Sequence, residues 1–177
     1  GFLWFCTAGG LVRYDGYATV LYTHSIADST SLSHNHVISV CEDTSGILWV
    51  GTLSGLNALD PSTGRCVRYT ADPGDTASLH TSRINTVFCD QAGRVWVGTD
   101  SGLYRLSAPG GPPYTRVFFQ RFSHDITDPG SISSNTVRDI YQDSDGTLWI
   151  CTGGRYIDIL DMAQMTRDAP RFKHVRP

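Results

Sequence analysis

The chain has 177 residues, a formal charge of −3 and a pI near 6.0, and its composition excludes several classes of protein. It holds 16 Asp but one Glu, and 13 Arg but one Lys, so strong helix formers are scarce, whereas 35 Ser and Thr and 18 Gly are typical of sheets joined by tight turns. Helix bundles and α/β folds are therefore excluded, and scattered Arg without a basic stripe argues against nucleic acid as a partner.

The first predicted elements form an incomplete unit. A strand around Leu3–Thr7 contains Trp4, and Gly10 with Leu11 then marks a turn and a second strand. The second unit supplies four short strands, at about Val37–Glu42, Ile47–Thr52, Leu56–Asp60 and Arg65–Thr70. The strand that contains Trp is nearly continuous in apolar residues, which indicates that both of its faces are buried between other sheets.

Tryptophans mark an internal repeat. Trp4, Trp49, Trp96 and Trp149 are 45, 47 and 53 residues apart, and the 18 residues that precede each of the last three align without a gap. Each of these copies contains an Asp-x-x-Gly turn before its Trp. The turns are Asp43–Gly46, Asp90–Gly93 and Asp143–Gly146. Four-stranded units of this length, buried on both faces, are the blades of a β-propeller.

We therefore predict an all-β fold, a partial propeller of about three and a half blades, each full blade a four-stranded antiparallel sheet. The expected divisions are a partial blade at 1–30, without its inner strand, and blades at about 31–77, 78–130 and 131–177. An insertion at Ala108–Pro113 lengthens the third unit. We expect an open arc with exposed blade faces at both ends unless other chains complete it.

The repeat resembles a known family, the two-component regulator propeller repeat. The runs Ser131–Thr152 and Asp90–Leu103 follow its motif, S-L-S-x-N-x-V-x-x-[VI]-x-x-D-x-x-G-x-[LV]-W-[VI]-G-T-x-x-G-L, almost throughout. The resemblance implies a periplasmic, ligand-sensing segment of a hybrid two-component histidine kinase of the Bacteroidetes type, which recognises glycan fragments or relays their recognition. The partners it implies are further propeller repeats of the same chain, an oligosaccharide and a second protomer in the intact sensor. A membrane would be reached only through a segment outside this sequence.

Two other functions stay open, a propeller enzyme of the lyase or lactonase kind and a non-catalytic interaction scaffold. The sequence shows no nucleophile elbow, no Ser/His/Asp set and no Gly-rich phosphate loop, and it has a single Glu for a catalytic centre. We therefore expect no catalytic residue, no metal site and no cofactor in this segment.

The recurring Asp and Trp residues have structural interpretations. Asp143 to Gly146 looks like the start of an EF-hand loop, but Gly154 stands where that loop needs Glu. Because the Asp-x-x-Gly pattern recurs in every full unit, we interpret it as a turn in which Asp bonds to the backbone and Gly takes positive φ. The repeated Trp lies in mid-strand among apolar residues, so we assign it to the core between blades rather than to a sugar platform.

Six residues are candidates for ligand contact: His34, His36, Arg83, Arg138, Arg155 and Tyr156. The two histidines precede an inner strand, near the propeller axis where small ligands commonly bind. A guanidinium suits sulfated or uronic-acid sugars because it binds carboxylate and sulfate through two bonds. Arg155 and Tyr156 also break the repeat, which is common at functional sites. For each of the six, a solvated loop or surface turn is the alternative.

The five cysteines are widely spaced and form no CxxC pair. They are Cys6, Cys41, Cys66, Cys89 and Cys151. Their positions in the repeat predict small buried apolar side chains rather than a disulfide framework.

Overall fold

A computed structural model of the chain describes residues 1–75, 77–108, 111–112, 114–162 and 170–176. These residues form strands, turns and connections, and contain no helix long and apolar enough to cross a membrane. The 15 strands are β1 Leu3–Thr7, β2 Gly10–Tyr14, β3 Thr19–Tyr22, β4 Val37–Glu42, β5 Leu48–Thr52, β6 Gly55–Asp60, β7 Arg65–Tyr69, β8 Ile84–Cys89, β9 Val95–Thr99, β10 Leu103–Ser107, β11 Phe118–Phe122, β12 Val137–Gln142, β13 Leu148–Thr152, β14 Ile157–Leu160 and β15 Lys173–Val175.

The strands form four antiparallel sheets in chain order, which confirms the predicted partial propeller. Blade 1 has three strands, β1 to β3, and lacks the inner strand that each other blade has. Blades 2, 3 and 4 have four strands each, beginning with the inner strands β4, β8 and β12. Each inner strand after the first packs on the inner strand of the blade before it.

The strands of every blade run between two ends, and these two ends differ in structure. At the connection end, 14-residue connections enter the inner strands, at 23–36, 70–83 and 123–136, of which residue 76 lies outside the description. The turns from β5 to β6, β9 to β10 and β13 to β14 share this end, because antiparallel pairing sets the start of an inner strand beside the end of the next strand. The opposite end, which we call the turn end, carries the Asp-x-x-Gly turns.

One carboxylate in each full blade joins the turn to the core. In blade 2, Asp43 Oδ1 accepts hydrogen bonds from the backbone N–H groups of Ser45 (2.8 Å) and Ile47 (3.1 Å). Its Oδ2 accepts a bond of 2.8 Å from the indole Nε1 of Trp49, which is fully buried. Gly46 closes the turn at φ +80°, a conformation that favours glycine.

The same arrangement recurs in the next two blades. Asp90 Oδ2 accepts the indole N–H of Trp96 at 2.9 Å, and Asp143 Oδ2 accepts that of Trp149 at 2.7 Å. This bonding explains why Asp and Trp stand six residues apart in every full blade, and it supports the structural interpretation of both residues.

Glycine two residues after Trp lets the next blade approach. A Cβ placed on Gly51 would lie 2.6 Å from the Cγ2 of Ile84 on the next inner strand, and one on Gly98 would lie 2.7 Å from the Cγ1 of Val137. Because such distances are far shorter than any real contact, a side chain here would separate the blades. The same position holds Cys151 on blade 4, where that face of the sheet is exposed to solvent.

The predicted insertion at 108–113 lies partly outside the described residues, which exclude 109, 110 and 113. Tyr114, which follows it, enters the core of blade 2. Its hydroxyl donates to Asp43 Oδ2 at 2.8 Å, and its ring lies 5.2 Å from that of Trp49. Tyr69 of blade 2 in turn donates its hydroxyl hydrogen to the carbonyl of Tyr114.

The prediction for the cysteines is wrong for four of the five. Cys41 and Cys89 form a disulfide between the inner strands of blades 2 and 3, with their Cα atoms 5.8 Å apart. Cys6 and Cys151 are exposed thiols, because one lies on an edge strand and the other on the open face of blade 4. Cys66 is buried as expected, and burial raises the pKa of its thiol to about 12.

Replacing Asp43 tests the bonding of the turn to the core. Asp43→Ala leaves two turn N–H groups, the Trp49 indole and the Tyr114 hydroxyl without their acceptor, so we expect the free energy of unfolding to fall by about 2–4 kcal/mol. Urea unfolding measures this change. As the control, Asp145→Ala removes an exposed carboxylate from the matching turn of blade 4 and should cost less than about 0.5 kcal/mol. Equal losses in the two variants would contradict the assignment.

The disulfide gives a second prediction. Because it closes a loop across a sequence separation of 48 residues, replacing both Cys41 and Cys89 by Ser should lower the free energy of unfolding by about 2–4 kcal/mol. Denaturant unfolding under non-reducing conditions measures the effect. Cys151→Ser changes an exposed thiol and should leave the unfolding midpoint unchanged. A double variant as stable as the original chain would show that the bond contributes nothing.

Candidate functional site

The six candidate residues all lie at or beside the connection end. His34 and His36 belong to the first connection, and Arg83 is the last residue of the second. Arg138 is the second residue of β12, while Arg155 and Tyr156 form part of the turn from β13 to β14. The structure therefore brings residues from three blades to one end of the arc.

The three connections share one architecture, which explains why they hold their shape. In the first and third, the backbone N–H of His24 donates to Asn35 Oδ1 at 2.7 Å, and that of His124 donates to Asn135 Oδ1 at 2.8 Å. In the second connection, the N–H of Ala71 donates to the Oγ of Ser82 at 2.9 Å.

A buried polar side chain on the third strand of each full blade fixes the connection in place. The backbone N–H of Ser33 donates to Asn57 Oδ1 at 2.8 Å, and that of Ser133 donates to Asp158 Oδ2 at 2.7 Å. In blade 3 the N–H of His80 donates to the hydroxyl of Tyr104 at 3.2 Å. These acceptors are fully buried, so the connections are anchored to the blade interiors.

His34 and His36 lie at the surface, and hydrogen bonds of this pair stabilise the loop that contains them. The backbone N–H of His36 donates to His34 Nδ1 at 2.9 Å, and the carbonyl of His36 accepts the N–H of Leu53 at 3.3 Å. His36 is exposed, whereas His34 is half-buried. The pair thus presents imidazole groups at the surface of the connection end.

Arg83 is exposed and lies close to a carboxylate. Its Nε is 3.7 Å from Asp100 Oδ2, and the two side chains are 59% and 50% exposed, so the ion pair is screened by water. Asn85 donates its Nδ2 hydrogens to Asp100 Oδ1 at 2.8 Å and to the carbonyl of Val137 in blade 4 at 3.0 Å. Arg83, Asp100 and Asn85 therefore form a polar cluster at the junction between blades 3 and 4.

The candidates of blade 4 lie around its glycine-containing turn. Arg138 is exposed, and its side chain lies close to the turn, because a Cβ built on Gly153 would be 3.7 Å from Arg138 Nε. Arg155 is exposed, while Tyr156 is half-buried, with the guanidinium of Arg176 5.7 Å from its ring centroid. This surface combines guanidinium groups with an aromatic face.

Three polar side chains on the outer strands were not among the predicted candidates for the site. Arg68, Arg121 and His174 occupy the same position, two residues after the residue whose backbone N–H donates to a carbonyl of the connection. Arg68 and His174 both reach carbonyl oxygens of the connection that enters their own blade. The signal in the sequence is a cationic or titratable residue at this one position in each full blade.

Among the described residues, no group of three or more His, Cys, Asp or Glu side chains is placed to hold a metal ion. Asp143, the residue that resembles an EF-hand ligand, is engaged in its turn. The Trp149 indole and then the backbone N–H of Thr147 lower the pKa of its carboxyl below the ordinary value. Its two oxygens bond to the protein as those of Asp43 and Asp90 do.

Comparisons with solved structures identify propellers. The extracellular domain of the hybrid two-component system BT3049 from B. thetaiotaomicron matches with 25% identity and a TM-score of 0.76, over 99% of this chain and 23% of that one. The extracellular domain of BT4673 from the same organism matches with 22% identity and a TM-score of 0.71, over 99% and 23%. Virginiamycin B lyase from Staphylococcus aureus shares the fold at 14% identity and a TM-score of 0.63, over 99% and 52%.

The chain thus spans about a quarter of the length of the two-component domains that it matches. No curated protein sequence matches it. The family profile of the two-component regulator propeller matches residues 31–54, 78–101 and 131–154, each of which runs from the end of a connection through the inner strand and the Trp strand. The resemblance of the three full blades to the two-component regulator propeller repeat is therefore confirmed.

Proposed function

We propose that this arc is part of an extracytoplasmic sensor that recognises glycan fragments, or relays their recognition, to a histidine kinase. The observation that carries the proposal is the family match of its three full blades together with the likeness to extracellular domains of hybrid two-component systems. The inter-blade disulfide supports a location outside the cytoplasm, because such bonds persist in oxidising compartments. We place the arc in the periplasm, in the sensor part of an inner-membrane protein.

The connection end is the proposed ligand surface. Arg83, Arg138 and Arg155 are exposed there and could each bind a carboxylate or sulfate through two hydrogen bonds. Tyr156 supplies an aromatic face on which a sugar ring can stack. The ligand class that these groups favour is a sulfated or uronic-acid oligosaccharide.

Binding would act through packing rather than chemistry within the blades. The connections are anchored to buried polar side chains, so a ligand held between two of them would favour one relative position of neighbouring blades. We propose that further propeller repeats of the same chain cover the open blade faces. Large apolar side chains are exposed on blade 1 and on blade 4: Phe2, Leu3, Phe5, Leu21 and Tyr141. In the intact sensor, a homodimer would transmit the change in packing to the kinase.

Calorimetry with sulfated and uronic-acid oligosaccharides tests the ligand surface. We expect Arg83→Gln, Arg138→Gln and Arg155→Gln each to weaken binding about tenfold, because each loses a charge-assisted contact. Arg65→Gln is the matched control, since Arg65 is an exposed arginine at the turn end. Equal affinity in all variants would place the ligand elsewhere, and an absence of heat with every oligosaccharide would favour an interaction scaffold. Turnover of a substrate would favour the lyase or lactonase alternative.

The kinase relay has a separate test in the complete reading frame that contains this sequence. We expect it to encode further repeats of the same motif, a membrane-spanning helix and a histidine kinase. A complete frame that encodes no kinase would overturn the relay, whatever the ligand-binding result.

A further inference from the structure

The connection that enters blade 3 differs from the other two at one position. In the first and third connections a histidine ring lies against the loop, with His24 Nδ1 2.7 Å from the carbonyl oxygen of Leu32 and His124 Nδ1 2.8 Å from that of Ile132. The second connection has Ala71 at the same place, 25 residues before the Trp of its blade. It therefore has no histidine at the position from which the other two connections bond the corresponding carbonyl oxygen.

A cationic side chain also binds the first and third connections. In blade 2, Arg68 donates from Nη2 to the carbonyl oxygens of Ser25 (3.4 Å) and Asp28 (2.7 Å) and to the Oγ of Ser31 (2.6 Å). Its Nε donates to the carbonyl of Ser31 at 2.7 Å. One guanidinium thus satisfies several acceptors that converge in this loop.

Blade 4 does the same with two side chains. Arg171 donates to Asp128 Oδ1 at 2.7 Å, and the Nε2 of His174 lies 3.1 Å from the carbonyl oxygen of Pro129. In blade 3 the corresponding residue is Arg121, whose Nε donates instead to the carbonyl of Ser101 at 2.8 Å. This hydrogen bond of Arg121 therefore goes to the turn from β9 to β10 and not to the connection.

A cavity of about 320 Å³ lies against the second connection. Its lining includes Asp72, Asp75 and Ser78, which correspond in the repeat to Ser25, Asp28 and Ser31, the residues that Arg68 binds in blade 2. Ala71, Leu79 and His80 contribute to the rest of the wall. The described lining contains two carboxylates and neither Lys nor Arg.

We propose that this cavity binds a small organic cation that carries several N–H donors, a primary ammonium or a guanidinium group. The ligand would take the place that Arg68 takes in blade 2. Asp72 and Asp75 each use Oδ1 to accept a backbone N–H of their own turn, at 2.9 and 2.8 Å, and a carboxylate has further lone pairs for a donor. The proposal does not rest on the sensing function, since it follows from comparing the three connections of one chain.

Titration of the chain with D-glucosamine, followed through the NMR amide signals of Leu79 and His80, tests the proposal. We expect saturable shifts with glucosamine and with methylguanidinium, and none with N-acetylglucosamine, whose nitrogen is neutral. Added salt should weaken binding because the carboxylates are exposed to solvent. Shifts of equal size with N-acetylglucosamine would overturn the assignment to a cation.

Two variants locate the site. Ala71→His restores the residue found in the other connections and should weaken glucosamine binding at least about tenfold. Asp75→Asn keeps the Oδ1 that caps its turn but removes a charge, and it should weaken binding several-fold. Ala92→His makes the first change at an exposed position of the turn end and should leave affinity unchanged. Undiminished binding in both Ala71→His and Asp75→Asn would overturn the proposal, even if the sulfated oligosaccharides bind as proposed above.

Discussion

The hydrogen bond between a turn carboxylate and a buried indole is the interaction on which the rest of the structure depends. Asp43, Asp90 and Asp143 each satisfy backbone donors with one oxygen and a tryptophan with the other. A buried indole N–H without an acceptor would cost free energy, and so would a carboxylate without donors. Each inner hairpin is thereby tied to the core of its blade, and the connection end can vary in sequence without altering the blade.

The contacts between blades impose a second constraint, which is steric. Gly51 and Gly98 allow the next inner strand to approach to a distance at which any side chain would collide. The blades therefore stack at one fixed separation, and the connections that enter them are brought to comparable positions. This regularity makes differences between connections meaningful, because the same backbone carries His24 in one blade and Ala71 in the next.

Much of the fold could be predicted from the sequence, because the spacing of Asp, Gly and Trp repeats within each blade. The disulfide could not be predicted from that alignment, since Cys41 and Cys89 do not occupy the same position. Cys41 stands eight residues before its Trp and Cys89 seven. Side chains alternate along a strand, so an offset of one residue directs the two thiols to opposite faces, which meet between neighbouring blades. The hydrogen bonds of Arg68 to the connection could not be predicted either. A repeat alignment gives the position of a side chain along its strand but not the loop that the side chain contacts.

The position of Tyr114 has a consequence for how such proteins evolve. In a repeat protein each unit contacts only its neighbours, so a unit can be exchanged most simply when its own side chains complete its core. Here a residue that follows the insertion of blade 3 completes the bonding of Asp43 in blade 2. The two blades have become a matched pair, so recombination that separates them would leave a hole in one and an exposed tyrosine in the other. New ligand specificities in this arc should therefore arise by substitution in the connections rather than by exchange of whole blades.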